Sequence, residues 1–190
     1  TLDAWDFIKV TGTGDSAKAP KKIIPHKWAF YFLMAVGFWN FVGAGIFGFL
    51  INMPVVSYFE AGTILTLNHG HAALLGAFGM LAMALLVLGL RHVLTDEQWA
   101  LPEKFVNISF WGLNIGLALM VVTNLFPEGI LQIWDVLENG YWHARSLEFI
   151  GSDRIRTLEW ISMPSHLILI IIGVVPMVIA AGLTYLKVSK

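Results

Sequence analysis

The sequence contains no cysteine, which excludes disulfide bonds, thiolate metal sites and thiol catalysis. Charged residues are also scarce, at 13% of the 190 residues, and the formal net charge is -1. This balance argues against a nucleic-acid ligand or a strongly charged partner. Apolar residues, in contrast, make up 57% of the chain and include 8 Trp and 13 Phe. Such a composition is extreme for a soluble domain and indicates a membrane protein.

Four apolar runs are each long enough to cross a bilayer as a helix, which takes about 20 residues. The runs are too long for strands, and prolines or charged residues bound each of them. We therefore predict an all-α membrane protein with four transmembrane helices. The predicted spans cover residues 28–51, 62–90, 105–125 and 158–186, with an outer loop at 127–157.

Basic residues predict the orientation of the spans. Nine lysines and arginines fall in the N-terminal segment, the loop between the second and third spans, and the tail, whereas three arginines fall in the outer loop. The positive-inside rule then places both termini in the cytoplasm and the protein in the cell (inner) membrane. Residues 1–25 are predicted to be a cytoplasmic linker and residues 26–190 the membrane bundle. Because Thr1 is not a Met and no signal peptide follows it, we expect the chain to start inside a longer polypeptide.

Two histidines, His69 and His71, flank Gly70 near the start of the second span. In an α-helix, positions i and i+2 point about 200° apart, so one helix offers two imidazoles to opposite sides. A single metal ion gathers its ligands on one face, so this spacing suits two separate planar cofactors better. Haem is the candidate, because histidine is its common axial ligand. The alternative is interhelical hydrogen bonding by polar groups at membrane depth.

A six-coordinate haem needs a second axial ligand, and the apolar cores of the spans contain no other histidine. We therefore expect this chain to supply one ligand to each of two haems and other polypeptide to supply the rest. Gly70 fits this arrangement, because a bulky side chain between the two imidazoles would crowd the porphyrins.

Four further residues are candidates on the same side of the membrane. Glu60 is either solvated at the interface or a proton-conducting or cation-binding carboxylate near the haems. Arg145 is suited to bind haem propionates, with Trp142 beside it; the alternative is a half-buried helix with an aromatic belt. His166 either faces water or contacts a quinol headgroup.

Three stretches resemble the quinol-dependent nitric oxide reductases, within the wider haem–copper oxidase superfamily. They are Phe38–Asn52, Asn68–Leu81 and Asn124–Phe149. The resemblance implies the last four helices of the catalytic polypeptide, as the C-terminal part of a haem–copper-oxidase-like bundle. It also implies that His69 is the catalytic-site ligand of the high-spin haem b3 and that His71 is one axial ligand of the low-spin haem b.

The same resemblance implies the reaction 2 NO + 2 electrons + 2 H+ to N2O + H2O, a step of denitrification driven by electron transport from quinol. The ligands of the non-haem iron, the second ligand of haem b and much of the quinol site belong to earlier helices. The implied partners are the remaining N-terminal part of the polypeptide or a separate subunit, quinol and the lipid bilayer, while a homodimer stays open.

Two other functions remain open at this stage. A nitric oxide dismutase, which turns two NO into N2 and O2, shares this helix set. Family reductases often carry an acid near the start of the last span, where this chain has Ser165 and His166, and an altered quinol site favours the dismutase. A non-catalytic electron-relay subunit would instead carry two low-spin haems and no ligand-binding haem.

Overall fold

The computed structural model describes residues 26–189, and every regular element in that range is helical. Four of the helices are long and apolar enough to cross a membrane, as expected for a multi-pass, all-α membrane protein. The predicted linker at residues 1–25 lies outside the described residues. The helices are α1 (Lys27–Asn52), α2 (Pro54–Glu60), α3 (Ile64–His92), α4 (Asp96–Asn139), α5 (Leu147–Ile150) and α6 (Asp153–Val188).

The long helices form two antiparallel pairs, in which α3 returns along α1 and α6 returns along α4. At one end of the bundle, Lys27 forms an ion pair of 2.5 Å with Glu103 of α4, and Lys187 of α6 donates to the Gln98 carbonyl at 2.5 Å. The other end holds α2, the start of α3 with His69, the end of α4 and the start of α6, and is called the histidine end here. Five of the nine basic residues behind the predicted orientation, the lysines at 9, 18, 21, 22 and 190, lie outside the described range.

Glycines bring the paired helices into close contact. A Cβ on Gly43 of α1 would lie 2.5 Å from the Ala72 carbonyl carbon of α3, and one on Gly76 would lie 2.6 Å from the Trp39 side chain. In the second pair, a Cβ on Gly116 of α4 would lie 2.8 Å from Leu169. Since lipid supplies no hydrophobic force between helices, such backbone approach provides the van der Waals contact that holds them together.

Side-chain hydrogen bonds from α1 to α4 and from α4 to α6 connect helices within the apolar interior. The Trp39 indole donates to the Asn114 amide oxygen at 2.9 Å and joins α1 to α4. The Ser109 hydroxyl donates to the Gly173 carbonyl at 2.5 Å and joins α4 to α6. Both polar groups are satisfied within the protein, as groups shielded from water require.

The third span is longer than the predicted 105–125, because Pro102 and Pro127 do not end the helix. Pro102 lies in the second turn of α4, where its missing N–H leaves the Gln98 carbonyl without its helical partner. The Lys187 ammonium fills that position. At the other end, α4 continues through Pro127 to Asn139, so the predicted outer loop is shorter than 127–157.

Candidate functional site

His69 is held against α1 by a hydrogen bond to the backbone. Its Nδ1–H donates to the Gly43 carbonyl at 2.9 Å, across the α1–α3 interface. The imidazole rests on Gly48, where a Cβ would lie 3.1 Å from both Cε1 and Nδ1 of the ring. Gly48 thus leaves the space that this ring fills, and Gly43 supplies the acceptor that orients it.

His71 lies on a different side of α3. Its Nδ1–H donates to the Leu67 carbonyl one turn earlier, at 3.0 Å, rather than to a neighbouring helix. Its neighbours at helical spacing, Leu67, Leu74 and Phe78, are 42%, 66% and 66% exposed and are not covered by other described residues. The contacts therefore separate the two imidazoles as the i, i+2 spacing predicts: one faces α1 and the other an open apolar face.

Both histidines are suited to bind an iron through Nε2. A backbone carbonyl can only accept, so each Nδ1 carries the proton and each Nε2 keeps its lone pair. Metal-binding histidines typically donate the other ring N–H to a carbonyl or carboxylate in this way. Between residues 26 and 189, no three or more His, Asp or Glu lie together as a metal site, but an axial haem ligand needs only one imidazole. The donor set fits one axial haem ligand on each side of α3.

Glu60 ends α2 and is buried at the histidine end, with 2% of its surface exposed. Its Oε2 has no hydrogen-bond partner among the described residues, whereas its backbone carbonyl accepts from the Thr63 hydroxyl at 2.7 Å. Burial raises the pKa of the Glu60 carboxyl, and a smaller electrostatic contribution from nearby His69 opposes that rise. Simple solvation at the interface does not describe this residue; it is a sheltered carboxyl with an unused acceptor.

Arg145 connects the loop before α3 to the segment after α4. Its guanidinium donates to the Ala61 carbonyl and, at 2.7 Å, to the Tyr141 carbonyl, and it stacks 3.4 Å from the centre of the Tyr141 ring. Its Nε–H is buried and has no partner in the described part of the chain. Gly62 next to it has a φ of +74°, a conformation that favours glycine. Arg145 therefore positions the loop that leads into α3, and its Nε–H is a buried donor without a partner among the described residues.

A cavity of about 560 Å³ lies between the start of α3 and the end of α4. Polar groups of Thr66, Glu128, Gln132 and Arg145 line it, together with Leu67, whose carbonyl holds His71. Arg145 therefore lines the same cavity as the turn of α3 that leads to His71.

Gln132 closes this region by joining three chain segments. Its side-chain amide donates to the Ala144 carbonyl at 3.0 Å and accepts from the Ile64 N–H, at the start of α3, at 2.6 Å. A Cβ on Gly129, one turn earlier, would lie 2.6 Å from the Leu65 backbone nitrogen. Contacts from the last turns of α4 therefore hold the first turn of α3 in place.

The segment after α4 is tied down by Asp135. This buried carboxylate accepts from Asn139 and from the Nδ1–H of His143, both at 2.7 Å. The hydrogen bond to Asp135 raises the pKa of the His143 imidazole, and partial desolvation opposes the rise. Trp142 next to it is 81% exposed and makes an edge-to-face contact with Tyr141 at 5.2 Å. Trp142 is thus directed away from the described helices.

His166 is apart from the other candidates. It lies in the fourth turn of α6, is exposed, and its Nδ1–H donates to the Ser162 carbonyl at 3.0 Å. Its recorded polar contacts within the described residues are with its own helix. The structure therefore brings Glu60 and Arg145 to the start of α3 and leaves His166 on the surface of α6.

Three residues of the site could not be assigned from the sequence. Gly48 was indistinguishable from other packing glycines, and Gln132 from the polar residues of a loop. Asn68 is fully buried beside His69, and neither its amide oxygen nor its nitrogen has a partner in the described part of the chain. A polar residue next to His69 in an apolar run was the available signal for Asn68.

Comparison with known proteins indicates the family of this chain. Residues 17–168 match the family model described as cytochrome C and quinol oxidase polypeptide I. The chain is also similar to a nitric oxide reductase polypeptide of Stutzerimonas stutzeri, with 30% identity over 112 residues. That match covers 58% of this chain and 23% of the relative, so the matched segment corresponds to about a quarter of that protein's length.

Proposed function

Because this chain belongs to the cytochrome c and quinol oxidase polypeptide I family, we propose that it is the haem-binding part of a membrane nitric oxide reductase. Members of this family are membrane oxidoreductases that bind haem. The proposed reaction is 2 NO + 2 electrons + 2 H+ to N2O + H2O. The similarity to the nitric oxide reductase of Stutzerimonas stutzeri, together with the stretches around Trp39, His69 and Tyr141, supports this member of the family over an oxygen reductase.

The observation that carries the proposal is the opposed pair of imidazoles with fixed Nδ1 protons. His69, whose ring rests on Gly48, is proposed to bind haem b3. His71, on the open face of α3, is proposed to bind haem b. A bound haem supplies an iron that exchanges single electrons and, where one axial position is open, takes a diatomic ligand. Because one rigid helix carries both histidines, the distance between the two iron sites is held constant.

The open face of α3 supports a partner that completes the second site. Exposing a histidine to lipid costs free energy, and the apolar face of α3 around His71 does not pack against other described residues. We propose that the remaining N-terminal part of the polypeptide, or a separate subunit, covers this face. That partner would supply the second ligand of haem b, the non-haem iron ligands and much of the quinol site.

The histidine end provides two further groups for this chemistry. Glu60 is a sheltered carboxyl with an unpartnered oxygen, and its raised pKa favours the protonated form near His69 relative to an exposed carboxyl. Arg145 keeps a buried Nε–H unpaired, and this donor is available to a haem propionate. Trp142 is exposed on the same segment and would contact a haem only through the proposed partner.

The proposed location is the inner membrane, with both termini in the cytoplasm. Among the described residues Lys27, Arg91, Lys104 and Lys187 lie at the end opposite the histidines. The histidine end would then face outward.

The test replaces His69 or His71 by alanine in the complete membrane complex, with His92→Ala as the control on the same helix. His92 is exposed at the far end of α3. We expect His69→Ala to abolish the CO-binding, high-spin haem signal and NO consumption. His71→Ala should remove the low-spin signal and stop quinol-driven turnover, and His92→Ala should change neither.

Three outcomes would contradict the proposal. If the His69→Ala variant keeps the CO-binding haem, His69 is not the ligand of that haem. Two low-spin haems with no CO binding in the unmodified complex would indicate an electron-relay subunit. Release of O2 from NO without an electron donor would assign a dismutase instead.

A further inference from the structure

A second cavity, of about 750 Å³, lies between the last turns of α4 and the start of α6. Its volume falls within the range of about 300–1,000 Å³ that is usual for small-molecule sites. The walls are apolar and its entrance is charged. The apolar lining consists of Phe126, Pro127, Ile130, Leu131 and Leu158. We call this cavity the α4–α6 groove.

The entrance of the α4–α6 groove carries one negative and one positive side chain, Asp153 and Arg154. Both are exposed, and within residues 26–189 neither is recorded in an ion pair, with the other or with a third residue. Ser152, which precedes them, provides no side-chain cap to the first N–H groups of α6. Arg154 and this helix start favour a phosphate, while Asp153 favours a cation beside it.

The α4–α6 groove has its charged residues at the membrane surface and its apolar wall deeper in the span, which is the arrangement that an amphiphile requires. Asp153 and Arg154 begin α6 at the histidine end, and Leu158 lies about one turn further into the span. Trp134 of α4 and Trp160 of α6, on the two helices that form the groove, are 62% and 72% exposed. Exposed tryptophans are enriched where a membrane protein meets the headgroup layer. A headgroup at the entrance would thus continue into an acyl chain along the apolar wall.

We propose that the α4–α6 groove binds one phospholipid with an ethanolamine headgroup. Its phosphate pairs with Arg154, and its ammonium donates hydrogen bonds to the Asp153 carboxylate. A choline headgroup has no N–H to donate to Asp153, and a glycerol headgroup leaves that carboxylate without a cation. The charge pair at the entrance therefore favours an ethanolamine headgroup over a choline or glycerol headgroup.

The test offers the delipidated membrane complex an equimolar mixture of palmitoyl-oleoyl phosphatidylethanolamine, phosphatidylcholine and phosphatidylglycerol in mixed micelles. Native mass spectrometry then counts each bound lipid. We expect one phosphatidylethanolamine to be retained in preference to the other two. Arg154→Gln should reduce its retention about tenfold or more, as loss of a hydrogen bond to a charged group does.

Two matched variants make the test specific. Arg156→Gln removes the same charge two residues along α6, outside the groove, and should leave retention unchanged. Thr157 also lines the groove. Thr157→Phe therefore fills the groove, leaves both charges intact and should also abolish retention, which keeps the proposal testable if Arg154→Gln does not fold. Equal retention of the three lipids, equal losses in the two arginine variants, or displacement of the lipid by a quinone analogue would overturn the proposal.

Discussion

Gly48→Ala tests whether the space beneath His69 positions an iron ligand. The added Cβ would lie 3.1 Å from Cε1 and Nδ1 of the ring. Carbon atoms in favourable contact lie about 3.5–4.0 Å apart, so the imidazole must move by a few tenths of an ångström. That movement is directed away from α1, where the Gly43 carbonyl accepts the Nδ1–H at 2.9 Å.

The expected magnitude follows from this hydrogen bond. Lengthening it by a few tenths of an ångström brings it to the limit of about 3.2 Å for a normal N–H···O bond. Losing such a support of a metal-binding histidine typically costs about 10–100-fold in metal affinity. We therefore expect the haem at His69 to bind at least about tenfold more weakly, with no change at His71.

The assay measures the CO-difference spectrum and the haem content of the purified complex. Gly45→Ala is the matched control, because its Cβ would meet Phe41 at 3.7 Å, an ordinary contact. Both variants gain the same helix propensity, about 1 kcal/mol, so their difference isolates the contact with His69.

The reasoning would be refuted if Gly48→Ala kept the CO-binding haem to the same extent as Gly45→Ala. The ring would then tolerate the added methyl, or Nε2 of His69 would not bind iron. Equal losses in both variants would instead show a general effect on α1 packing.

Three further predictions concern stability and pH. Gln132→Leu should lower the free energy of unfolding by about 2–6 kcal/mol, because two backbone partners each lose a hydrogen bond worth roughly 1–3 kcal/mol when left unmet; an unchanged thermal midpoint would exclude the bridge. His143 has a raised pKa in the folded state, so the stability it contributes with Asp135 is complete below its unfolded pKa and disappears as pH rises through the folded value. In His143→Gln, this pH dependence of the melting temperature should be absent. Glu60 has a raised pKa in the folded state, so ionising it as pH rises between the unfolded and folded pKa lowers the free energy of unfolding. Glu60→Gln should therefore match the unmodified protein at acid pH and become the more stable of the two as pH rises through that interval. A difference in stability that does not change with pH would show that the carboxyl does not titrate there.

Much of the fold followed from local patterns in the sequence. Runs of apolar residues predicted the four membrane-crossing helices, since length and hydropathy alone determine that property. The ends of the helices are harder to predict from sequence, because a proline such as Pro102 ordinarily indicates a helix boundary but lies inside α4. Its missing N–H is compensated by Lys187, which is distant in sequence and meets the Gln98 carbonyl only after α6 folds against α4.

The sequence by itself determined that two imidazoles leave one helix on opposite sides, because the angle between positions i and i+2 is a property of the helix. Only the tertiary structure decided what each one meets: His69 faces the Gly43 carbonyl and the space at Gly48, while His71 faces an open apolar stripe. It also decided that Glu60 is sheltered rather than solvated, and that Arg145 binds the loop before α3. The contacts of His69 with Gly43 and of Arg145 with Ala61 join residues 26 and 84 positions apart, and no local pattern encodes which distant groups become neighbours.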